Sequence, residues 1–177
     1  MLASYYNISM SINSVDADNV FGRICCFSGH RNIERSLLPI LKRQLRETAE
    51  ELVLCGIQGF ICGGAVGFDT LAAETVLELR ARRPELILTL ALPFKGQSSR
   101  WTGENKRRYE RIREMADEVI FVSEEYSPYC MQKRNRFMVE HSGVCVCYLT
   151  SAGGGTAYTV SYALSAGLRV INLAMKM

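Results

Sequence analysis

Gly59-Phe60-Ile61-Cys62-Gly63-Gly64-Ala65-Val66-Gly67-Phe68-Asp69 passes without a break from an apolar run, through a glycine-rich turn, into the start of a helical periodicity. An apolar run of strand length closed by residues lacking Cβ and followed by helical spacing is the strand-turn-helix of an α/β unit. The same succession recurs late in the chain, where the apolar run 144–149 leads into Gly153-Gly154-Gly155-Thr156 and a helical stretch over 156–166. Backbone approaches a ligand closely only where Cβ is absent, and the free N–H groups of a helix N-terminus point at whatever anion sits there. Two such turns in one chain predict a phosphate cradle.

Working outward, a short apolar run over 23–27 ends in Ser28-Gly29-His30-Arg31, a third strand-to-turn junction. Leu37, Ile40, Leu41, Leu45, Ala49, Leu52 and Val53 recur at three-to-four spacing and predict a helix over 33–55, stopped at Gly56. Further strands are expected over 59–62, 86–92, 118–122, 144–149 and 169–173, and further helices over 68–82, 104–115, 131–141 and 156–166. Strands apolar throughout and separated by helices indicate a parallel sheet covered on both faces. The expected fold class is therefore α/β: a single Rossmann-like, doubly wound domain with a mostly parallel sheet of about six strands. Ligands in such sheets lie beyond the carboxyl ends of the strands, where chain order reverses. All three turns fall at such ends and are expected to converge on one cleft.

In the first turn, Gly63 and Gly64 leave room for a close ligand, Ala65 follows, and Gly67 permits tight helix and strand packing. Asp69 has two readings: a structural cap on free N–H groups, or a carboxylate that bonds ribose hydroxyls or orients a water. In the second turn the glycines expose N–H groups, and Thr156 adds a hydroxyl at or near the N-cap. Neither the dinucleotide pattern G-x-G-x-x-G nor the Lys-Ser or Lys-Thr that follows the glycines of a P-loop is present, which disfavours a nicotinamide dehydrogenase and P-loop ATP hydrolysis. Lys133-Arg134-Asn135-Arg136 begins the helix leading to the fifth strand, where a guanidinium can grip phosphate bidentately; the alternative is a solvated face. The loop 94–103 carries Phe94, Gln97 and the only tryptophan, Trp101, and reads either as a base-stacking lid or as a connector. Lys106, Arg107, Arg108, Arg111 and Arg113 alternate with Glu104, Glu110 and Glu114, the pattern of a solvated helix face.

With 177 residues and 48% hydrophobic content the chain is long enough to bury its own core, and its net charge of +3 is too mild to imply a nucleic-acid protein by itself. Seven cysteines, most of them in apolar runs, fit buried thiols in a reducing cytoplasm. Cys145 and Cys147 face one side of a strand, but no spaced Cys/His set accompanies them, so neither a metal nor a cofactor is expected. Residues 1–20 are expected to form a flexible tail, with neither secretory-signal nor membrane-spanning character. His30 and His141 belong to no hydrolase signature. Ala157, Ala163 and Ala166 allow packing within the domain or between subunits of a homodimer or higher homo-oligomer.

Taken together, Ser28-Gly29-His30-Arg31, Gly63-Gly64-Ala65-Val66-Gly67-Phe68-Asp69, Arg134-Asn135-Arg136-Phe137-Met138 and Gly154-Gly155-Thr156 resemble the SLOG superfamily, most closely its YpsA/YoqJ-like branch. Pro93-Phe94, Gln97, Trp101 and Tyr109 resemble the same branch, and coverage runs over 22–173. The resemblance implies a Rossmann-like ligand-binding domain over 21–177 and a superfamily with three activities. LOG-type phosphoribohydrolases carry Arg-Lys-x-x-Met and P-G-G-x-G-T-x-x-E segments. Arg134 and Met138 match the former, whereas Ser151, Ala152 and Thr159 replace the proline, first glycine and glutamate of the latter. DprA proteins bind single-stranded DNA and carry an Arg-Asn-Arg segment, matched by Arg134-Asn135-Arg136. A third group is proposed to sense nucleotide-derived signals in bacterial and phage conflict.

The leading expectation is a nucleotide, nucleotide sugar or ADP-ribose-like ligand held by a cytoplasmic sensor or sequestering protein. Residues 28–31, Gly63, Gly64, Ala65, Gly67, Asp69, Phe94, Gln97, Trp101, Arg134, Asn135, Met138 and 153–156 would line its site. The alternatives are an N-glycosidic or phosphoribo-hydrolase using Asp69 or Glu140 as base, and single-stranded nucleic-acid binding.

Overall fold

The computed structural model describes residues 20–176. The tail expected over 1–20 lies outside the described residues except at its last position, where a 3-10 turn, Val20–Arg23, begins. Six strands follow: β1 (Ile24–Gly29), β2 (Gly59–Cys62), β3 (Ile87–Leu92), β4 (Glu118–Phe121), β5 (Val144–Tyr148) and β6 (Arg169–Asn172). Five helices connect them: α1 (Leu38–Leu54), α2 (Phe68–Arg80), α3 (Gly103–Met115), α4 (Cys130–Glu140) and α5 (Gly154–Ser165). Every strand pair is parallel, and the order across the sheet is β4-β3-β2-β1-β5-β6.

Alternation along the strands divides the core into two layers, because successive side chains of a strand point to opposite faces. Cys25, Phe27, Phe60, Cys62, Leu88, Leu90, Leu92, Val144, Val146 and Tyr148 meet the apolar faces of α1, α2 and α3. Cys26, Ile61, Ala91, Cys145 and Cys147 meet Met138 and Val139 of α4 and Val160 and Ala163 of α5. Ala163 thus packs inside the domain. Cys145 and Cys147 do share a face, and all seven cysteines are free thiols. No helix among the described residues is long and apolar enough to cross a membrane.

Element ends match the sequence periodicity to within a residue or two, with one exception. α1 starts at Leu38 rather than near Ile33, with Pro39 in its first turn. A helix begun at Ile33 would put Pro39 opposite the carbonyl of Arg35, where proline has no N–H to donate and its ring clashes. From β1 the chain builds outward to β4, then crosses back through α4 to place β5 on the other side of β1. Chain order therefore reverses between β1 and β5, and the crevice at their carboxyl ends is the ligand position of such sheets.

Candidate functional site

At the carboxyl end of β2 the missing Cβ atoms of the first turn make room for the protein itself. A Cβ on Gly63 would overlap the guanidinium of Arg134, one on Gly67 would overlap the backbone of Arg31, and one on Gly64 would come within 2.5 Å of Leu92 Cδ2. Gly64 and Gly67 also have φ values of 63° and 82°, the left-handed region that favours glycine. Gly29 at the end of β1 plays the same part, since its Cβ would lie 2.5 Å from Cβ of Phe68. Phe68 in turn stacks on Tyr148 of β5, with ring centroids 6.1 Å apart. The Ala65 carbonyl accepts from Thr70 Oγ1 at 2.9 Å, and the Gly64 carbonyl from Gln97 Nε2 at 2.6 Å.

Arg134 and Asp69 are buried together under this turn, at 7% and 5% exposure. Arg134 donates through Nη1 to the Gly63 carbonyl and through Nε to Asn135 Oδ1 at 2.7 Å, and Nη1 lies 3.9 Å from Asp69 Oδ2. Nη2 makes no hydrogen bond among the described residues. Asp69 Oδ2 also accepts the Ala65 N–H at 3.4 Å. Burial pushes the Asp69 carboxyl above the ordinary carboxylate range, against the opposing pull of Arg134, the Ala65 N–H and Arg31. Burial likewise lowers Arg134, with Asp69 opposing. The two directions agree: at this separation desolvation outweighs the attraction within the pair.

The second turn is different. Apart from the chain neighbours and the backbone of α5 itself, no atom of the described residues lies within 4 Å of where a Cβ would stand on Gly153, Gly154 or Gly155. Gly153 is the N-cap of α5, so Thr156, expected at or near the cap, is the third helical residue, and its side chain is buried. The strand end before this turn is fixed by two residues from elsewhere. Asn172 of β6 accepts the Leu149 N–H at 3.0 Å and donates through Nδ2 to the Leu149 carbonyl at 2.9 Å. His30 accepts the Thr150 N–H on Nε2 at 3.0 Å, and its ring stands edge-on to Tyr148. Neither Asn172 nor Tyr148 was singled out by sequence reasoning. An amide side chain in the otherwise apolar run over 170–173 is the signal that could have found Asn172.

Three helix N-termini meet this edge of the sheet, because α2, α4 and α5 each follow a strand's carboxyl end. Their N-caps are Gly67, Tyr129 and Gly153, and none makes a side-chain capping bond. The first turns of α4 and α5 contain no acidic residue, and that of α2 contains only Asp69. The first N–H groups of α2 and α4 are taken by the carbonyls of His30 and Ser127, and the positive ends of the three helix dipoles face one rim together with exposed Arg31. Such a rim attracts anions.

Among the other expected site residues, Ser28 and Gly29 lie at the switch point, paired in register with Cys147 and Tyr148. Trp101 stands edge-on to Tyr109, centroids 5.1 Å apart, and packs against the core, while Phe94 stands edge-on to Tyr126 at 5.5 Å. Met138 is buried in the α4 and α5 layer. Glu140, at the last residue of α4, accepts the Tyr162 hydroxyl at 2.6 Å and sits at the opposite edge of the sheet from the glycine turns. Within α3, Arg108 is half-buried rather than on a free solvated face: it forks onto Glu74 of α2 at 2.7 and 2.6 Å.

Comparison with known proteins places this geometry among relatives. A family profile described as the YspA SLOG family matches residues 25–169. The SPbeta prophage-derived protein YoqJ of Bacillus subtilis is 35% identical over 136 residues, covering 70% of this chain and 80% of YoqJ. DNA processing protein A from Helicobacter pylori, described for its single-stranded DNA binding mode, has the same fold at a TM-score of 0.61 and 19% identity, over 83% of this chain and 63% of that one. DprA from Streptococcus pneumoniae aligns at a TM-score of 0.58 and 16% identity, over 82% of this chain but only 48% of DprA.

Proposed function

The chain belongs to the YspA SLOG family, and from that premise we propose that it binds a phosphate-bearing, nucleotide-derived small molecule at the carboxyl ends of β1 and β5, as a sensor or sequestering protein. The observation that carries the proposal is the contrast between the two glycine turns. The first is filled by the protein's own atoms, whereas at the second a Cβ on any of the three glycines would meet nothing beyond its chain neighbours and α5's own backbone, at a helix N-terminus without a side-chain cap. A phosphate there would accept the N–H groups of Gly154, Gly155 and Thr156, and Arg31 would supply charge from across the switch point. In this reading Arg134 acts from beneath, holding the Gly63 turn.

Recognition without cleavage is the form of the proposal. Thr159 occupies the position of the LOG-type glutamate, and its hydroxyl is bonded to the Gly155 carbonyl at 2.8 Å. Glu140 is at the wrong edge of the sheet, and Asp69 is held under the first turn. A thermal-shift and calorimetry panel of nucleoside mono- and diphosphates, nucleotide sugars and ADP-ribose tests it. At about a hundredfold excess over Kd a ligand contributes about 2.7 kcal/mol, a Tm rise of roughly 5–10 °C for a domain of this size. The parent nucleosides should give no rise, and chromatography should return the ligand unchanged. A folded protein that responds to no phosphate-bearing member, or that responds only to oligonucleotides, overturns the proposal.

A further inference from the structure

His30 leaves β1 at the point where chain order reverses, and its backbone N–H, its carbonyl and its ring Nε2 are each bound to a neighbouring element or loop. Its N–H donates to the Tyr148 carbonyl at 3.3 Å, extending the β1 and β5 ladder, and its carbonyl accepts the N–H of Phe68, the first residue of α2, at 3.2 Å. Its ring Nε2 accepts the N–H of Thr150 at 3.0 Å, reaching 120 residues along the chain to the start of the second glycine turn. An acceptor at Nε2 places the ring proton of a neutral imidazole on Nδ1. The edge-on contact with Tyr148, interplanar angle 81°, sets the plane of the ring.

We propose that His30 is a positioning residue: its neutral imidazole holds the backbone between Tyr148 and Gly153 in the form that presents the N-terminus of α5 to an anion. The proposal rests on the ligand reading above but assigns His30 a part that sequence reasoning did not, holding the cradle rather than touching the ligand. Asn172 fixes Leu149 from the β6 side through both its backbone groups. Beyond Leu149 the Thr150 N–H has His30 as its partner, and past it the chain runs through three exposed residues, 151–153, into α5, whose first two residues are exposed as well. A glycine-rich segment of that kind loses much conformational freedom when it is ordered. Fixing its first N–H shortens the part that a ligand must order, which is how a residue that makes no contact with the ligand raises affinity.

The test separates an acceptor at Nε2 from mere bulk. In His30→Ala the Thr150 N–H loses its partner; in His30→Gln the side-chain carbonyl oxygen falls where Nε2 stood. Amide hydrogen exchange at Thr150 is followed by NMR in the wild type and both variants without ligand, and nucleotide affinity is measured by calorimetry. The expected result is a loss of Thr150 protection of about fivefold to tenfold in His30→Ala, with affinity lowered by a similar factor and both restored in His30→Gln. Unchanged Thr150 exchange in His30→Ala overturns the proposal, as does an equal loss in both variants while the far-UV spectrum stays native. If exchange follows the expected pattern but no nucleotide binds even the wild type, the hold on the turn stands and the ligand reading fails.

Discussion

Arg134 donates to the carbonyl of Gly63 through the volume that any side chain at position 63 would fill. Gly63 is thus required by the protein's interior: a close approach is present, and its partner is a guanidinium supplied from α4. Alanine at 63 would have to displace Arg134 from Asp69 and from the carbonyl, leaving a buried charge poorly paired. The expected cost is about 2–4 kcal/mol, read as a lower urea midpoint at unchanged m-value. A midpoint within experimental error of wild type would mean that Arg134 swings away freely.

The same burial makes stability depend on pH with a definite sign. The Asp69 carboxyl is raised above its ordinary value, chiefly by desolvation. Between about pH 3.9 and the raised folded pKa the unfolded chain has released a proton that the folded protein retains. The stability this group contributes is therefore fully present below about pH 3.9 and is lost as pH rises through the folded pKa. Asn at position 69 removes the titration, so Asp69→Asn should gain on wild type as pH is raised from about 4 to 7 in parallel urea titrations. A difference of the opposite slope would mean that the attraction of Arg134 outweighs desolvation.

Where interactions are local, the fold could be read from the residues: the two-residue alternation of Cys25, Cys26 and Phe27 or of Val144, Cys145 and Val146 sorts each strand into its two layers before any partner is known. The helices followed from three-to-four spacing except at the start of α1, where the apolar periodicity runs on through Ile33 but the chemistry of Pro39 sets the boundary. What a glycine makes room for was not legible. Gly63 and Gly154 look alike in sequence, yet one meets Arg134, 71 residues away, and the other meets nothing beyond its chain neighbours and α5's own backbone. That difference depends on α4 crossing from β4 to the far side of β1. Asn172 escaped notice for the same reason, and His30 was expected at the site but as a ligand contact rather than as a hold on Thr150, since each acts on a backbone group that is remote in sequence.

Trp101 supplies a built-in probe of the loop 94–103. Its ring is engaged edge-on by Tyr109 and partly buried against the core, the arrangement of a packing residue. Nucleotide binding should therefore leave its emission within about a tenth of the free value, since a ring engaged by Tyr109 and the core is held as packing rather than as a stacking platform. Trp101→Ala should instead lower stability by about 1–3 kcal/mol, the cost of truncating a partly buried aromatic. Strong quenching on titration with nucleotide would reassign the loop as a stacking lid.

The contrast between the two turns makes the sharpest prediction, because the same substitution should separate folding from binding in opposite ways. Gly153 and Gly155 have ordinary backbone angles, and a Cβ on either meets nothing beyond its chain neighbours and α5's own backbone. Gly155 is already helical, where alanine is preferred over glycine by about 0.5–1 kcal/mol. Gly153→Ala should fold with stability within about 1 kcal/mol of wild type, and Gly155→Ala should match or exceed wild type. Both place a methyl group in the space over the N-terminus of α5, so phosphate-bearing ligands should bind at least about tenfold more weakly, as one displaced charge-assisted hydrogen bond implies. Gly63→Ala reports the reverse, a less stable fold around a second turn left untouched. Urea titration and calorimetry on the three variants together decide the matter: if Gly153→Ala and Gly155→Ala bind as wild type does, the anion does not sit on α5, and the cleft toward Arg31 and Arg134 becomes the place to look.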